Sequence, residues 1–378
     1  MSDLDRIEPR VMVIGAGADA QRAVALIEAA GHEVVSVPHA GANGDERPSG
    51  AYVLGAEGQI GGFSIRLADS SDPHVSVGAI VVALGNRRVR PSLSLPKGSQ
   101  LPVMTPAAWA DKVRRDLREA YRVAWARKRV VVLLDHPADT PRETATEALR
   151  AVKNVVGWAH PEIYVYYRDL QVDTHQLERL TRETREAGVV YCRYDQIELD
   201  VSENGVTVAV EEGQRWGDLL VVPEIIEPPA SATDLATRLG IRVGEDGFLQ
   251  DVNMRHVGAG QTVRRGIYVA GRCHLDADAE TQAADVERVV GRVVALLDGG
   301  TVPLPEQYAE VTSEECIRCL TCIRTCPHQA VELRSTETVT AAYVVPAACW
   351  GCGMCVANCP VRAIALVPAV ELAPQEAV

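Results

Sequence analysis

Cys316-Ile317-Arg318-Cys319-Leu320-Thr321-Cys322-Ile323-Arg324-Thr325-Cys326-Pro327 is answered further along the chain by Cys349-Trp350-Gly351-Cys352-Gly353-Met354-Cys355-Val356-Ala357-Asn358-Cys359-Pro360. Eight of the ten cysteines fall in these two copies of one C-x2-C-x2-C-x3-C-P pattern. Three thiolates spaced by two residues reach three irons of a 4Fe-4S cube from one tight loop. The fourth, leading away from that loop, serves the other cube. One cluster is thus expected on Cys316, Cys319, Cys322 and Cys359, the other on Cys349, Cys352, Cys355 and Cys326. A zinc site or a decayed, cluster-free module is the alternative. Zinc sites use four ligands, as CxxC pairs or Cys/His mixtures, without a third step or a following proline.

Length and composition frame the rest. At 378 residues the chain exceeds one such module and calls for two or three domains; 47% hydrophobic and 24% charged residues supply ample core. Apolar runs such as Ala79 to Leu84 and Val130 to Leu134 fall far short of the roughly 18 residues that span a bilayer. A formal charge of -13 and the lack of a basic, aromatic-interleaved stripe argue against nucleic acid. Met1-Ser2-Asp3-Leu4-Asp5-Arg6 is no basic n-region before an apolar h-region, so a reducing cytoplasm is the expected location and structural disulfides are not expected.

Near the start, Val11-Met12-Val13-Ile14-Gly15-Ala16-Gly17-Ala18-Asp19-Ala20 runs into an alanine-rich helical stretch and then Val34-Val35-Ser36-Val37. This is a strand, glycine turn, helix and strand, the unit whose G-x-G-x-x-(G/A) turn brings backbone N–H groups to a pyrophosphate. Gly15 makes the turn, Gly17 admits the phosphate and Ala20 permits close helix packing. The acid that commonly ends the second strand and binds ribose is missing; Ser36, Val37, Pro38 and His39 stand there. A Gly/Pro/Ser-rich stretch from Pro38 to Gly50, a hairpin through Gly58 to Leu67 and a strand ending at Gly85 follow, the last reading equally as a buried strand with a glycine stop.

A charged helix from about Thr105 to Arg127 leads to a second α/β section. Strands are expected at Arg129 to Asp135, Glu162 to Tyr167, Val189 to Arg193 and Gly217 to Val222, with helices at about Pro141 to Val152 and Thr174 to Ala187. Its first strand opens into Asp135-His136-Pro137-Ala138-Asp139-Thr140-Pro141, where two prolines and two carboxylates oppose a pyrophosphate. NAD(P)H is not expected there. The chain returns through Gly266-Ile267-Tyr268-Val269-Ala270-Gly271 and Arg272-Cys273-His274 to a helix from about Glu280 to Leu297.

The region from about Glu306 to Val367 resembles bacterial two-cluster ferredoxins. The whole order resembles the flavin-binding A subunit of heterodisulfide reductase and its bacterial relatives. That likeness rests on Gly15 to Ala20, Ile60-Gly61-Gly62-Phe63, Tyr167-Arg168-Asp169-Leu170, Gly244-Glu245-Asp246-Gly247-Phe248, and Gly266 to Gly271 with Thr281-Gln282-Ala283. It implies an α/β chain: a Rossmann-type FAD domain from residues 1–104 and 262–300, an inserted α/β domain at 105–261 without a nucleotide fingerprint, and an α+β two-cluster ferredoxin-like domain at 301–378. It also implies an oxidoreductase subunit passing electrons between FAD, two 4Fe-4S clusters and partner subunits, of the heterodisulfide reductase B/C type or other donors and acceptors, in an oligomer.

The flavin contacts so implied are Gly15, Gly17, Ala20, Gly85, Gly271, Cys273, Thr281, Gln282 and Ala283; no catalytic residue is assigned. Departures from the family are the missing ribose acid, Arg272-Cys273 in place of an acid, and no cysteine before Cys192 where larger members carry further clusters. Two other readings stand beside this one: a flavin-free adaptor in which only the clusters carry electrons, and an autonomous NAD(P)H-dependent flavin reductase. Cys192 is expected as a small core residue and His274 at the surface or in packing. Trp350 and Met354 are expected to shield the second cluster, and Arg318, Arg324, His328 and Arg362 to be cations near the cluster loops.

Overall fold

The computed structural model describes residues 7–38, 51–91, 103–118, 125–252, 260–336 and 338–369. The Gly/Pro/Ser-rich stretch beyond Pro38 and the end of the charged helix at 119–124 lie outside them. The chain divides into two compact units, one of residues 1–86, 228–275 and 282–378, the other of residues 87–227 and 276–281. No helix of the described residues is long and apolar enough to cross a membrane.

The first unit is built on a parallel sheet ordered Ile267–Val269, Ala79–Val82, Val11–Ile14, Val34–Val37. Alternation along each strand splits its side chains between two cores. Val11, Val13, Ala79 and Val81 face Ala23 and Ile27 of helix Ala18–Ala29 and Val286, Val289 and Val293 of helix Ala279–Asp298. Met12, Ile14, Ile80 and Val82 face the antiparallel sheet Tyr52–Gln59, Gly62–Ala68, His74–Val77 through Phe63, Ile65 and Val77. Ile60 and Gly61 turn the predicted hairpin, and Gly244 to Phe248 turn another between Arg242–Val243 and Leu249–Gln250.

The expected domain bounds differ from these units. The stretch 228–252 is expected in the inserted section, but helix Ala232–Leu239 buries Leu235, Ala236 and Leu239 in the same core as Met12 and Ile80, which ties it to the first unit. Arg87–Val89 and Val103–Met104, expected in the first domain, fall in the second unit, which begins at Arg87; they pair with Ile225–Glu227 and Leu219–Val221 respectively.

The second unit repeats the plan: a parallel sheet ordered Val190–Arg193, Glu162–Tyr167, Arg129–Leu133, Leu219–Val221, Val103–Met104. Helices Pro106–Arg118 and Arg142–Ala159 pack on one face through Trp109, Val113, Val152 and Val155. A meander, Glu198–Ser202, Gly205–Val210 and Gly213–Gly217, packs on the other through Val201, Val206 and Val208. At the turn after Arg129–Leu133, where a nucleotide domain would bind phosphate, the buried Asp135 carboxylate takes the backbone N–H groups of Thr140 at 2.9 Å, Arg168 at 3.1 Å and Asp169 at 3.2 Å. The protein thus carries its own anion there. Asp135→Ala leaves those donors without an acceptor and is expected to cost roughly 3 kcal/mol, read by urea denaturation.

Residues 307–368, in the first unit, form two interlocked copies of one hairpin motif. Gln307–Val311 of the first copy pairs antiparallel with Ile364–Pro368 of the second, and Val331–Ser335 with Thr340–Val344. Each sheet thus joins both halves. The shared core is unusually rich in small residues, Ala309, Ala330, Ala342 and Ala348, beside the cysteines.

Candidate functional site

Each cysteine loop needs backbone that curls around its sulfurs, and the two copies reach it with different residues. Gly351 and Gly353 adopt left-handed φ of 65° and 73°, while the equivalent Arg318 and Leu320 hold 59° and 61° despite their side chains. Gln329 and Arg362, three residues after Cys326 and Cys359, are left-handed in both copies at 54° and 57°. That turn directs the N–H of Ala330 to Cys326 Sγ at 3.4 Å and the N–H of Ala363 to Cys359 Sγ at 3.3 Å. Ala342 and Gly351 donate likewise to Cys316 and Cys349 at 3.5 and 3.3 Å. Such donors stabilise charge on ligating sulfur.

The thiols group across the copies. Cys316, Cys319 and Cys322 line one pocket together with Cys359, walled by Ile317, Leu320, Val361 and Ile364. Burial pushes the Cys326 thiol up, and its thiol neighbours are Cys352 and Cys349. Cys355 is pushed up to about 11 by burial and by Cys349, Cys326 and Cys352. Cys319 moves the other way, held down first by hydrogen bonds from the Thr321 hydroxyl and N–H. Among the described residues no group of three or more His, Cys, Asp or Glu converges to hold a single metal ion. A further feature fits a sulfide-bearing group beside the second set: the buried Trp350 Nε1–H, one residue after Cys349, has no acceptor.

At the carboxyl edge of the first unit's parallel sheet, Gly15, Gly17, Gly85 and Gly271 come together, the position at which such sheets bind ligands. Gly15 is fixed by contact: with φ of +142°, a Cβ there would sit 2.1 Å from the Ala83 carbonyl oxygen and 3.2 Å from the Ala20 methyl. Gly17 is different. It starts helix Ala18–Ala29 without a side-chain cap, and a Cβ on it would meet nothing within 4 Å, as is also true of Gly85. Open space before uncapped helix N–H groups fits a pyrophosphate.

The same edge carries charge pairs that no motif announced. Asp19, 6% exposed, accepts from the Arg272 guanidinium at 2.7 Å and the Arg272 N–H at 2.9 Å. Its carboxylate lies 2.5 Å from where a Gly271 Cβ would be, so only glycine fits. Asp285 accepts from the Gly271 N–H at 2.9 Å, pairs with His274 at 2.8 Å and meets Arg288 at 3.3 Å. Burial pushes the Asp285 carboxyl up, but His274 and the Gly271 N–H outweigh it, and its pKa lies below the ordinary carboxylate value. Folded Asp285 thus contributes stability that is present above its unfolded pKa and lost as pH falls through the lower folded one. Asp285→Asn is expected to cost roughly 3 kcal/mol near neutrality and less in acid, measured by chemical denaturation at both pH values.

The other residues singled out in the sequence are placed as follows. Cys273 is fully buried, with Sγ against the Val82 and Ala270 carbonyls and its thiol pushed up to about 12 by burial; it belongs to the apolar core beneath the glycines rather than to a cofactor surface. Thr281 belongs to the second unit, where its N–H and hydroxyl bond Asp278 at 3.1 and 3.2 Å, a helix-capping role. Gln282, in the first unit, is buried. The His274 side chain is buried against the Asp285 carboxylate, and Met354 is 47% exposed. Cys192 is a half-buried strand residue packed with Val208 and Tyr166.

Comparison with known proteins places residues 309–366 on the model of the 4Fe-4S dicluster domain. A heterodisulfide reductase A-subunit-like protein of Archaeoglobus profundus is 31% identical over 116 residues, 31% of this chain and 16% of that protein. A CoB–CoM heterodisulfide reductase iron-sulfur protein of Methanopyrus kandleri, the second of its A subunits, is 28% identical over 183 residues, 46% of this chain and 27% of that protein. The chain thus matches well under a third of the length of either relative. Thioredoxin reductase of Lactococcus lactis aligns with 77% of this chain and 100% of its own at 13% identity and a TM-score of 0.44. Residues 309–366, which hold both cysteine motifs, are a 4Fe-4S dicluster domain, on a chain similar over part of its length to the A-subunit-like proteins of heterodisulfide reductase.

Proposed function

We propose that the chain is an electron-transferring iron-sulfur flavoprotein subunit of a multi-subunit redox complex of the heterodisulfide reductase type. The observation that carries this reading is the crossed thiol arrangement, Cys316, Cys319, Cys322 with Cys359 and Cys349, Cys352, Cys355 with Cys326, as the ligands of two 4Fe-4S clusters. Such clusters accept and release single electrons. Ile317, Leu320, Val361 and Ile364 line the first set, and backbone N–H groups of Ala330, Ala342, Gly351 and Ala363 stabilise sulfur charge at both.

FAD, when bound, would supply exchange between two-electron and one-electron chemistry. Gly15 and Gly17 hold its pyrophosphate in this reading, with Ala20 supporting the turn and Gly85 and Gly271 leaving room at the sheet edge. Two features favour the flavin-free adaptor instead: the second strand ends at Val37 without a ribose acid, and Asp19 and Arg272 spend their charges on each other at the same edge. Anaerobic purification with iron, sulfide and flavin measured on one sample separates the two. About eight irons with about one FAD per chain supports the flavoprotein, about eight without flavin the adaptor, and no iron defeats both. Bleaching of a bound flavin by NAD(P)H alone would favour an autonomous reductase.

A further inference from the structure

Arg264 and Arg265 are adjacent cations inside the first unit with no carboxylate partner among the described residues. Arg264, 3% exposed, donates to the carbonyls of Ala56, Leu239 and Gly58. Arg265, half-buried, donates at 2.7 Å to the carbonyl of Ala347, two residues before Cys349, and at 2.7 Å to that of Pro303. Its guanidinium lies 5.9 Å from the centre of the ring of Trp350, the residue that follows Cys349. A half-buried cation satisfied only by neutral carbonyls is stabilised when an anion lies near. A 4Fe-4S cube on four thiolates is anionic and becomes more so on reduction. The same Trp350 ring carries a buried N–H without a hydrogen-bond partner.

Among the described residues the first thiol set has no such seat. Its cations, Arg318, Arg324 and Arg362, are exposed, where water and salt screen them. Charge, hydrogen bonds to sulfur and solvent exposure are the quantities that set cluster potential.

We infer that Arg265, with Trp350, is a tuning residue that makes the cluster on Cys326, Cys349, Cys352 and Cys355 the higher-potential one of the pair. It thereby sets the downhill direction of electron flow inside the dicluster domain, from the first cluster to the second. This rests on the proposal that both clusters are present.

The test is an EPR-monitored redox titration of the anaerobically purified full chain. Iron is counted on the same sample, so a protein without clusters is recognised as a failure of the underlying reading. Arg265→Gln is expected to lower one of the two potentials by at least tenfold in its reduction equilibrium, about 59 mV for a one-electron couple. The other potential should stay in place. Arg265→Lys should retain most of the potential, and Trp350→Phe should lower the same wave by less. In a Cys359→Ala background the surviving wave should be the one that Arg265→Gln moves. Unmoved waves, or two that move together, would overturn the inference. So would a higher-potential wave in the unaltered chain that slides between pH 6 and 8. That result would make His328, buried and bonded to the Val263 carbonyl at 2.7 Å, the controlling charge. Should Arg265→Gln lose iron, Arg265→Lys, Trp350→Phe and the pH profile still decide.

Discussion

Cys359→Ala is expected to disturb the same cluster as Cys316→Ala, although Cys359 belongs by sequence to the other motif. Cys326→Ala should share its target with Cys349→Ala. In each case one EPR signal is lost or converted to a three-iron form, the other remains, and iron falls from about eight toward about four per chain. The reason is the interlocking of the two copies. Because Gln307–Val311 pairs with Ile364–Pro368, the loop that follows the first strand lies beside the turn that precedes the last one, and Cys359 enters the pocket of Cys316, Cys319 and Cys322. The mirrored pairing of Val331–Ser335 with Thr340–Val344 does the same for Cys326. If Cys359→Ala and Cys349→Ala struck one signal and left the other, each motif would wrap its own cube and the crossed arrangement would be wrong. Alanine suits the test because Ala309, Ala330 and Ala342 already line this core, so a methyl group adds no bulk.

What the sequence disclosed and what it withheld follow the range of the forces involved. The dicluster domain was legible because three of the four cysteines of each motif lie within seven residues, and the fourth is followed by proline. The strands Glu162–Tyr167 and Ala79–Val82 were legible because β-branched and aromatic runs bury whole. Helix Arg142–Ala159 runs past its expected end at Val152 because Val155, Val156 and Ala159 continue the apolar stripe and His160 caps it in a left-handed conformation. Gly157 in that stretch reads as a stop but is tolerated. Pairings over long sequence separations left no local trace. Asp19 with Arg272, Arg265 with Ala347, and Leu235 with Met12 are each decided by packing, so the Asp19–Arg272 pair and the placement of 228–252 emerged only in three dimensions. Asp285 and His274 are nearer in sequence but carry no motif. Their one visible hint was two ionisable residues on the far side of a glycine-terminated strand.

Gly17→Val is expected to strip the chain of flavin while leaving its fold and its iron intact. The backbone at Gly17 is extended, with φ of -81° and ψ of -174°, which valine adopts freely, and a Cβ there meets no protein atom within 4 Å. The cost to the helix start should be at most about 1 kcal/mol, the usual loss at an N-cap. The new side chain would instead fill the space where a pyrophosphate must approach the first N–H groups of helix Ala18–Ala29. Bound FAD should fall from about one per chain to below about a tenth, read from the chromophore released by acid, with iron unchanged at about eight. Gly15→Ala provides the contrast. Its Cβ would sit 2.1 Å from the Ala83 carbonyl oxygen, so it should cost roughly 3 kcal/mol of stability and lose flavin only by loosening the sheet. If Gly17→Val retained its flavin, the ligand would not lie on this helix, and the open space before Gly17 would need another occupant. If the unaltered chain carried no flavin, the Asp19–Arg272 pair would become the reason, since a cation already neutralised by its own carboxylate has little left to offer a pyrophosphate.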